Sequence, residues 1–442
     1  MMRFLFLLSL CAALLAACAR EVGPEARIAI TQRPGAVLEV VYELRRAQPG
    51  IAFHEIEGDY RAARWDLPPG FEIRKKDGAE VIARRDGARF KTLVLTAHPA
   101  QGRLPKEYQP VAPYGEGGVL VYTGHFWPLT KAQARADVVF DLTPAPGGHA
   151  VAFGDNAMAL HDWQSPMAHP AFVYLGPLEP IETGAVMAVI DPQTPGWIVE
   201  EFKRLVPESF EKLSAMFGAA PETKPNLFLA AVPGKPAQLS YAGDALPAQF
   251  QIMLEGGVWA KPNDQARGVF LQSTVHEAVH LWQAAARPGA SKPPEWIHEG
   301  AADAIAAEIL AALGEWDAAA FEADERTART DCARELDKGT TLNGARAKGY
   351  YRALYACGHV IASAVARAEG ASTADFWRAF IDRAGPEGYS EDMFYDLVAE
   401  RTGDPDFAGA VRDFARKPLA RPEREIDGLF AAAGALARER GR

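Results

Sequence analysis

The sequence predicts an α+β fold in which an antiparallel β domain comes first and an α-rich domain with a small sheet follows. Two changes of texture predict it. Up to about Phe153, short β-branched and aromatic runs alternate with Gly and Pro clusters, the pattern of strands joined by turns. Beyond Pro195, alanine becomes abundant and helix-cap residues recur at helix-length intervals. A length of 442 residues leaves room for two or three domains. The chain is 48% apolar and 24% charged, as globular proteins are. Its net charge of −10 without a basic run excludes a nucleic-acid binder, which needs a positive footprint for phosphates.

The first element is residues 1–17. Arg3 precedes an apolar stretch from Phe4 to Leu15, and Ala16 and Ala17 follow. This reads as a secretory signal peptide, too short to cross a hydrocarbon core of about 30 Å. The run Leu15-Ala16-Ala17-Cys18 resembles the bacterial lipobox. The resemblance implies that Cys18 is lipid-modified and begins the mature chain, that residues 18–27 are a lipidated tether, and that the membrane is reached through this anchor. Ala19 in place of Asp implies the outer membrane. The expected location is therefore the bacterial cell envelope, lipid-anchored at the outer membrane and facing the periplasm. With Cys11 removed and Cys18 acylated, Cys332 and Cys357 remain as an even pair in an oxidising compartment, and a disulfide is expected.

Residues 28–155 read as a β-sandwich-like domain. Val37–Tyr42, Thr92–Thr96, Val119–Tyr122 and Val138–Phe140 are strand runs, punctuated by Pro68-Pro69-Gly70, Asp77-Gly78, Asp86-Gly87 and the cluster at 144–148. Residues 156–195 form a connecting region. In residues 196–442, Val199–Phe217 is an amphipathic helix closed by Gly218, Leu227–Leu229 is a buried strand and Phe250–Leu254 a second. A helix is expected from Asp264 to Ala286. Asp264, Ser372 and Ser390 read as helix starts, and Gly314, Gly370 and Gly385 as helix ends.

The chemistry gathers in Val275-His276-Glu277-Ala278-Val279-His280. Residues four apart on a helix share a face, so His276 and His280 present two imidazoles to one metal, with Glu277 one step round. This is the HExxH pattern of zinc peptidases. Eighteen residues separate His280 from Glu299, which lies on a second expected helix after Pro293-Pro294. Glu299 completes a two-His, one-Glu ligand set that leaves a fourth position open. Asp303, one turn on, is placed to orient a ligating histidine. His54-Glu55 begins a similar string, but Gly58 stands where the second histidine would be.

The spacing of HExxH, eighteen residues, then Trp296-x-x-Glu299-Gly300 resembles the gluzincins. Within them it is most similar to the glycyl aminopeptidase family and the leukotriene A4 hydrolase and aminopeptidase N family, while the Glu299/Asp303 pairing is shared with thermolysin. The close resemblance covers about residues 265–310 and a looser one 196–370. It implies a thermolysin-like zinc domain over residues 196–442 and one Zn²⁺ per chain. It also implies a peptide or protein substrate, with Glu277 as general base. Tyr355-Ala356-Cys357-Gly358 is similar to a Tyr-x-x-Gly whose hydroxyl steadies the oxyanion in those families. His359 shares the face of Tyr355 and is an alternative donor; Tyr350 and Tyr351 are weaker ones. His298 stands about 100° round the helix from Glu299, at the rim of the site or in contact with substrate. Trp282 and Trp296 are expected in the core, and His98, His125, His149, His161 and His169 at the surface or in packing.

One departure bears on activity. The aminopeptidase families carry Gly-x-Met-Glu-Asn or Gly-x-Leu-Glu-His before HExxH, and its glutamate grips the substrate's amine. Here the nearest string is Met253-Leu254-Glu255-Gly256-Gly257, which does not match, so endopeptidase and aminopeptidase action both stay open. Gly257–Ala260 is expected as an edge strand able to pair with an extended substrate. Two rival functions remain. One is a non-catalytic envelope lipoprotein that uses a gluzincin fold for binding or scaffolding, a role that has no need of an intact Glu277. The other is a zinc hydrolase of a non-peptide amide or epoxide.

Overall fold

The computed structural model describes residues 24–440 apart from 101–103, 105–106, 131–133, 166–168, 222, 287–291, 338 and 386–387. The signal segment 1–17 and Cys18 lie outside the described residues. The chain divides into two compact units, one holding the chain up to Ala150 with Ala157–Pro177, the other Val151–Asn156 with Leu178–Arg442. No helix among the described residues is long and apolar enough to cross a membrane.

The first unit is built of strands. They are β1 (Ala26–Arg33), β2 (Val37–Gln48), β3 (Gly50–His54), β4 (Trp65–Asp66), β5 (Phe71–Lys76), β6 (Ala79–Arg84), β7 (Phe90–Ala97), β8 (Val111–Pro113), β9 (Val119–Tyr122) and β10 (Val138–Thr143). A helical turn, α1 (Tyr60–Arg64), precedes β4. A hairpin of β11 (His149–Ala152) and β12 (Asp155–Ala157) stands where the units divide, and β13 (Leu160–Trp163) and β14 (Phe172–Gly176) complete the set. Burial alternates along β1, with Ala26, Ile28 and Ile30 inward, as a half-buried strand requires. The largest sheet runs β13-β10-β1-β2-β7-β4. It is antiparallel except that β1 and β10 run parallel, Ile28 opposite Phe140. A parallel pair needs a long crossover, and the hundred or so intervening residues supply one. A second sheet contains β14-β9-β8, and a third is β3-β6-β5.

Arg61 is fully buried in this unit. It is held by an ion pair with Glu80 and by donation to the carbonyls of His54 and His125. Its guanidinium stacks 4.9 Å from the Phe53 ring and 5.3 Å from Trp65, so desolvation is offset on every side of the charge. His125, also buried, bonds through Nε2 to the Tyr108 carbonyl at 2.7 Å. Burial, then the Arg61 charge, pull its pKa down to about 3.

The second unit begins with β15 (Ile181–Glu182), β16 (Met187–Ile190), α2 (Gly196–Phe217), β17 (Asn226–Val232), β18 (Ser240–Leu246) and β19 (Gln249–Glu255). Its sheet runs β15-β16-β17-β19-β18. β16, β17 and β19 are mutually parallel, whereas β18 returns antiparallel along β19 and forms the edge. The parallel centre explains why β17 is buried on both faces. Helices follow: α3 (Asp264–Gln283), α4 (Trp296–Ala312), α5 (Ala318–Leu336), α6 (Tyr351–Glu369), α7 (Thr373–Ala384), α8 (Glu391–Thr402), α9 (Pro405–Arg416) and α10 (Pro422–Arg440). Phe202, Leu205, Phe210 and Leu213 of α2 share one core with Leu227, Leu229, Ile252 and Leu254 of the sheet and Leu271, Val275 and Val279 of α3. Trp282 and Trp296 belong to that core.

Three boundaries differ from the sequence reading. Asn263, not Asp264, caps α3, accepting from Ala266 N at 2.9 Å, because its extended backbone turns the side chain onto the first free N–H groups. The same helix stops at Gln283, not Ala286. Gly257–Ala260 is a 3₁₀ turn, not an edge strand. Trp259 is buried there, its Nε1 donating to Ser240 O at 2.9 Å, and Gly256 at φ 122° turns the chain out of the sheet. The edge is β18.

Candidate metal centre

Two helices position the ligands. His276 and His280 lie one turn apart on α3, and Glu299 lies in the first turn of α4. The Nε2 atoms of the histidines are 3.1 Å apart, and each is 3.3 Å from Glu299 Oε2. The Nδ1 atoms are engaged on the far side, His276 with Asp303 Oδ1 at 2.8 Å and His280 with Gln283 Oε1 at 2.7 Å. Oxygen acceptors at Nδ1 fix the proton there, so both Nε2 lone pairs point inward. A tetrahedral zinc site with bonds of about 2.0–2.1 Å puts its ligand atoms about 3.3–3.4 Å apart. The three atoms here form a triangle of that size, and it is the group among the described residues whose geometry fits one ion. The residues present therefore fit zinc.

Charges in the centre are arranged for a cation. Burial opposes ionisation of Glu299, but hydrogen bonds with His276 and His280 hold its carboxyl well below the ordinary range. Burial also disfavours a charged His276, yet Asp303 and then Glu299 override it and raise its affinity for positive charge well above normal. Glu277 sits beside the triangle without belonging to it, buried, and burial pushes its pKa up. Above it lies β18: a Cβ added at Gly243 would stand 2.6 Å from Glu277 Cδ, so a side chain there would push the Glu277 carboxylate aside.

Tyr355 of α6 reaches the same place, its ring centroid 5.8 Å from that of His276. Burial, followed by the Glu299 and Glu277 charges, pushes its pKa well up, so it stays a phenol and a hydrogen-bond donor. His298 is closer than its helical position suggested. Its Nε2 is 3.7 Å from Glu299 Oε1, its ring 5.8 Å from that of His280, and its Nδ1 3.2 Å from Tyr389 Oη. Burial lowers its pKa and keeps it neutral. His359 is buried and turned to α5, with Nδ1 3.8 Å from Asp324 Oδ2.

Two glycines let α6 approach. A Cβ on Gly358 would fall 2.8 Å from Gly300 Cα and 3.1 Å from its N, and closer still to Trp296 O. The Cys332–Cys357 disulfide, Cα–Cα 4.7 Å, ties α6 to α5 two residues past Tyr355. Sequence reasoning missed Gln283, Gly243 and Tyr389. The spacing of Gln283 from His280 offered a signal. The other two reach the site across the fold and offered none.

No protein-family model and no curated sequence matches the chain significantly. Solved structures do. An aminopeptidase N family protein from Idiomarina loihiensis superimposes with a TM-score of 0.66 at 11% identity, covering 91% of this chain and 78% of that one. Yeast LTA4 hydrolase in complex with bestatin gives 0.57 at 12% identity, covering 89% of this chain and 67% of that one. Native yeast LTA4 hydrolase gives 0.53 at 11%, covering 90% and 68%. At such identities the likeness is one of fold: a β-sheet domain followed by a helical domain, as in those structures.

Proposed function

We propose that this chain is a zinc-dependent peptidase of the bacterial cell envelope, tethered through a lipid on Cys18 and holding one zinc between His276, His280 and Glu299. The observation that carries the reading is the convergence of three ligand atoms beside a buried carboxylate, Glu277, that is not one of them. A bound zinc supplies Lewis acidity toward water and the scissile carbonyl. Glu277 takes the proton of the attacking water and delivers it to the leaving amine, and its raised proton affinity suits both transfers. Tyr355 O–H donates to the oxygen on which negative charge develops. Asp303 and Gln283 hold the imidazoles in the tautomer that keeps Nε2 facing inward. The fold shared with aminopeptidase N and LTA4 hydrolase structures supports peptides as substrates. The Leu15–Cys18 run supports the anchor.

The test is zinc content of the purified protein and of His280→Ala, followed by a peptide-library screen with Glu277→Ala as control. The expected result is about one zinc per chain, lost in His280→Ala, with cleavage lost in Glu277→Ala and zinc retained. A protein that stays metal-free after zinc is supplied sinks the reading. Zinc bound with no cleavage of any peptide favours a binding role or a non-peptide substrate.

A further inference from the structure

The edge strand over the centre says which end of a peptide goes unread. β18 runs past α3 with Gly243 against Glu277. Alternate residues of a strand share a face, so Tyr241, Gly243 and Ala245 face the site. Ala245 packs against the core, and Tyr241 and Ala245 pair across the sheet with Leu254 and Phe250, both residues of that core. None of the three is acidic. The one carboxylate of β18, Asp244, lies on the opposite face across from Gln251, whose amide donates to its Oδ2. Other acids near the centre are turned to other partners: Glu299 and Asp303 to histidines, Glu295 at the rim to an ion pair with Arg346, and Asp324 of α5 to Gln272 and His359. The face of β18 turned to the centre therefore carries no carboxylate to receive a free α-ammonium. Bringing an ammonium out of water without a partner charge is strongly unfavourable.

We infer that the site does not select a free amino terminus and cleaves internal bonds of extended peptides lying along β18. This rests on the zinc-peptidase reading. Bare backbone at Gly243 lets the chain pass close to Glu277. Tyr241, 40% exposed, offers an aromatic surface to an apolar substrate side chain.

The experiment uses internally quenched peptides made in pairs, each sequence once with a free and once with an N-acetylated amino end, and products identified by mass. The expected result is kcat/KM equal within about threefold across each pair, with internal fragments as products. Asp244→Asn leaves both members of a pair unchanged. A preference of about a hundredfold or more for free amines, the size of a desolvated charge contact, with residues released singly from the amino end, overturns the inference and leaves the peptidase reading intact. So does a loss in Asp244→Asn confined to the free-amine peptides. If zinc-loaded protein cleaves neither member of any pair, the peptidase reading fails and the inference with it.

Discussion

Replacing Gly358 by alanine tests how α4 and α6 are fitted together. Ordinary Cβ contacts begin near 3.4 Å, and the new methyl would stand 2.8 Å from Gly300 Cα. The helices must part by at least 0.6 Å at that point, from 3.4 minus 2.8, and further where the methyl meets Trp296 O. Both obstacles are backbone, so no side chain can swing aside. Overpacking of a core costs about 1–3 kcal/mol, and a backbone clash belongs at the upper end. Alanine returns about 1 kcal/mol of helix propensity. The net loss is about 2 kcal/mol, a fall in Tm of about 4–8 °C for a unit of this size. The same parting carries Tyr355, one turn earlier on α6, away from Glu299, the neighbour of Gly300. A misplacement approaching 1 Å costs up to about a hundredfold in rate. His276, His280 and Glu299, on α3 and the first turn of α4, move little. The assay is thermal unfolding together with zinc stoichiometry and peptide turnover, with Gly409→Ala as control. That glycine of α9 has nothing within 4 Å of an added Cβ, and alanine there stabilises by up to about 1 kcal/mol. A Gly358→Ala protein as stable and active as the wild type refutes the close-crossing argument.

Tyr355→Phe lowers kcat by about 10²–10³ while zinc content stays unchanged; a loss of metal instead would make the tyrosine structural. Opening the Cys332–Cys357 bond, which closes a separation of 25 residues, destabilises the second unit by about 3.5 kcal/mol on the chain-entropy model. Urea unfolding of the Cys332→Ala/Cys357→Ala protein measures it, and an unchanged midpoint contradicts it. His125 gives the first unit a pH dependence. Its folded pKa is about 3 and its unfolded value about 6.5, so the unfolded state binds more protons between them. Stability is fully present above pH 6.5, falls as the pH drops toward 3, and is about 2 kcal/mol lower at pH 5. His125→Gln flattens that slope; an equal slope in the variant assigns the effect elsewhere.

The ligand set was legible because it rests on local periodicity. A four-residue spacing puts His276 and His280 on one face whatever the tertiary fold, and the helix start after Pro293-Pro294 places Glu299 and Asp303 one turn apart. The edge strand was not legible. Ser240–Leu246 contains Gly, Asp and three small or polar residues with no apolar alternation; pairing with β19 makes it a strand. Val258-Trp259 looks like strand material, yet the indole's burial and its bond to Ser240 O make it a turn. Gly300 and Gly358 stand in the two motif strings, but nothing local says that they meet; only the helix crossing demands glycine there. The link from His298 to Tyr389 spans 91 residues and no local pattern announces it. Nor does any announce the parallel run of β1 beside β10.

The disulfide and the three-residue cluster are built on separate pairs of helices. His276, His280 and Glu299 come from helices the bond does not touch, so the cluster does not depend on it for its place. The helix bearing Tyr355 gains its covalent brace to α5 only where thiols are oxidised. Reduction of that bond would therefore loosen the tyrosine's helix while leaving the cluster of His276, His280 and Glu299 on its own two helices.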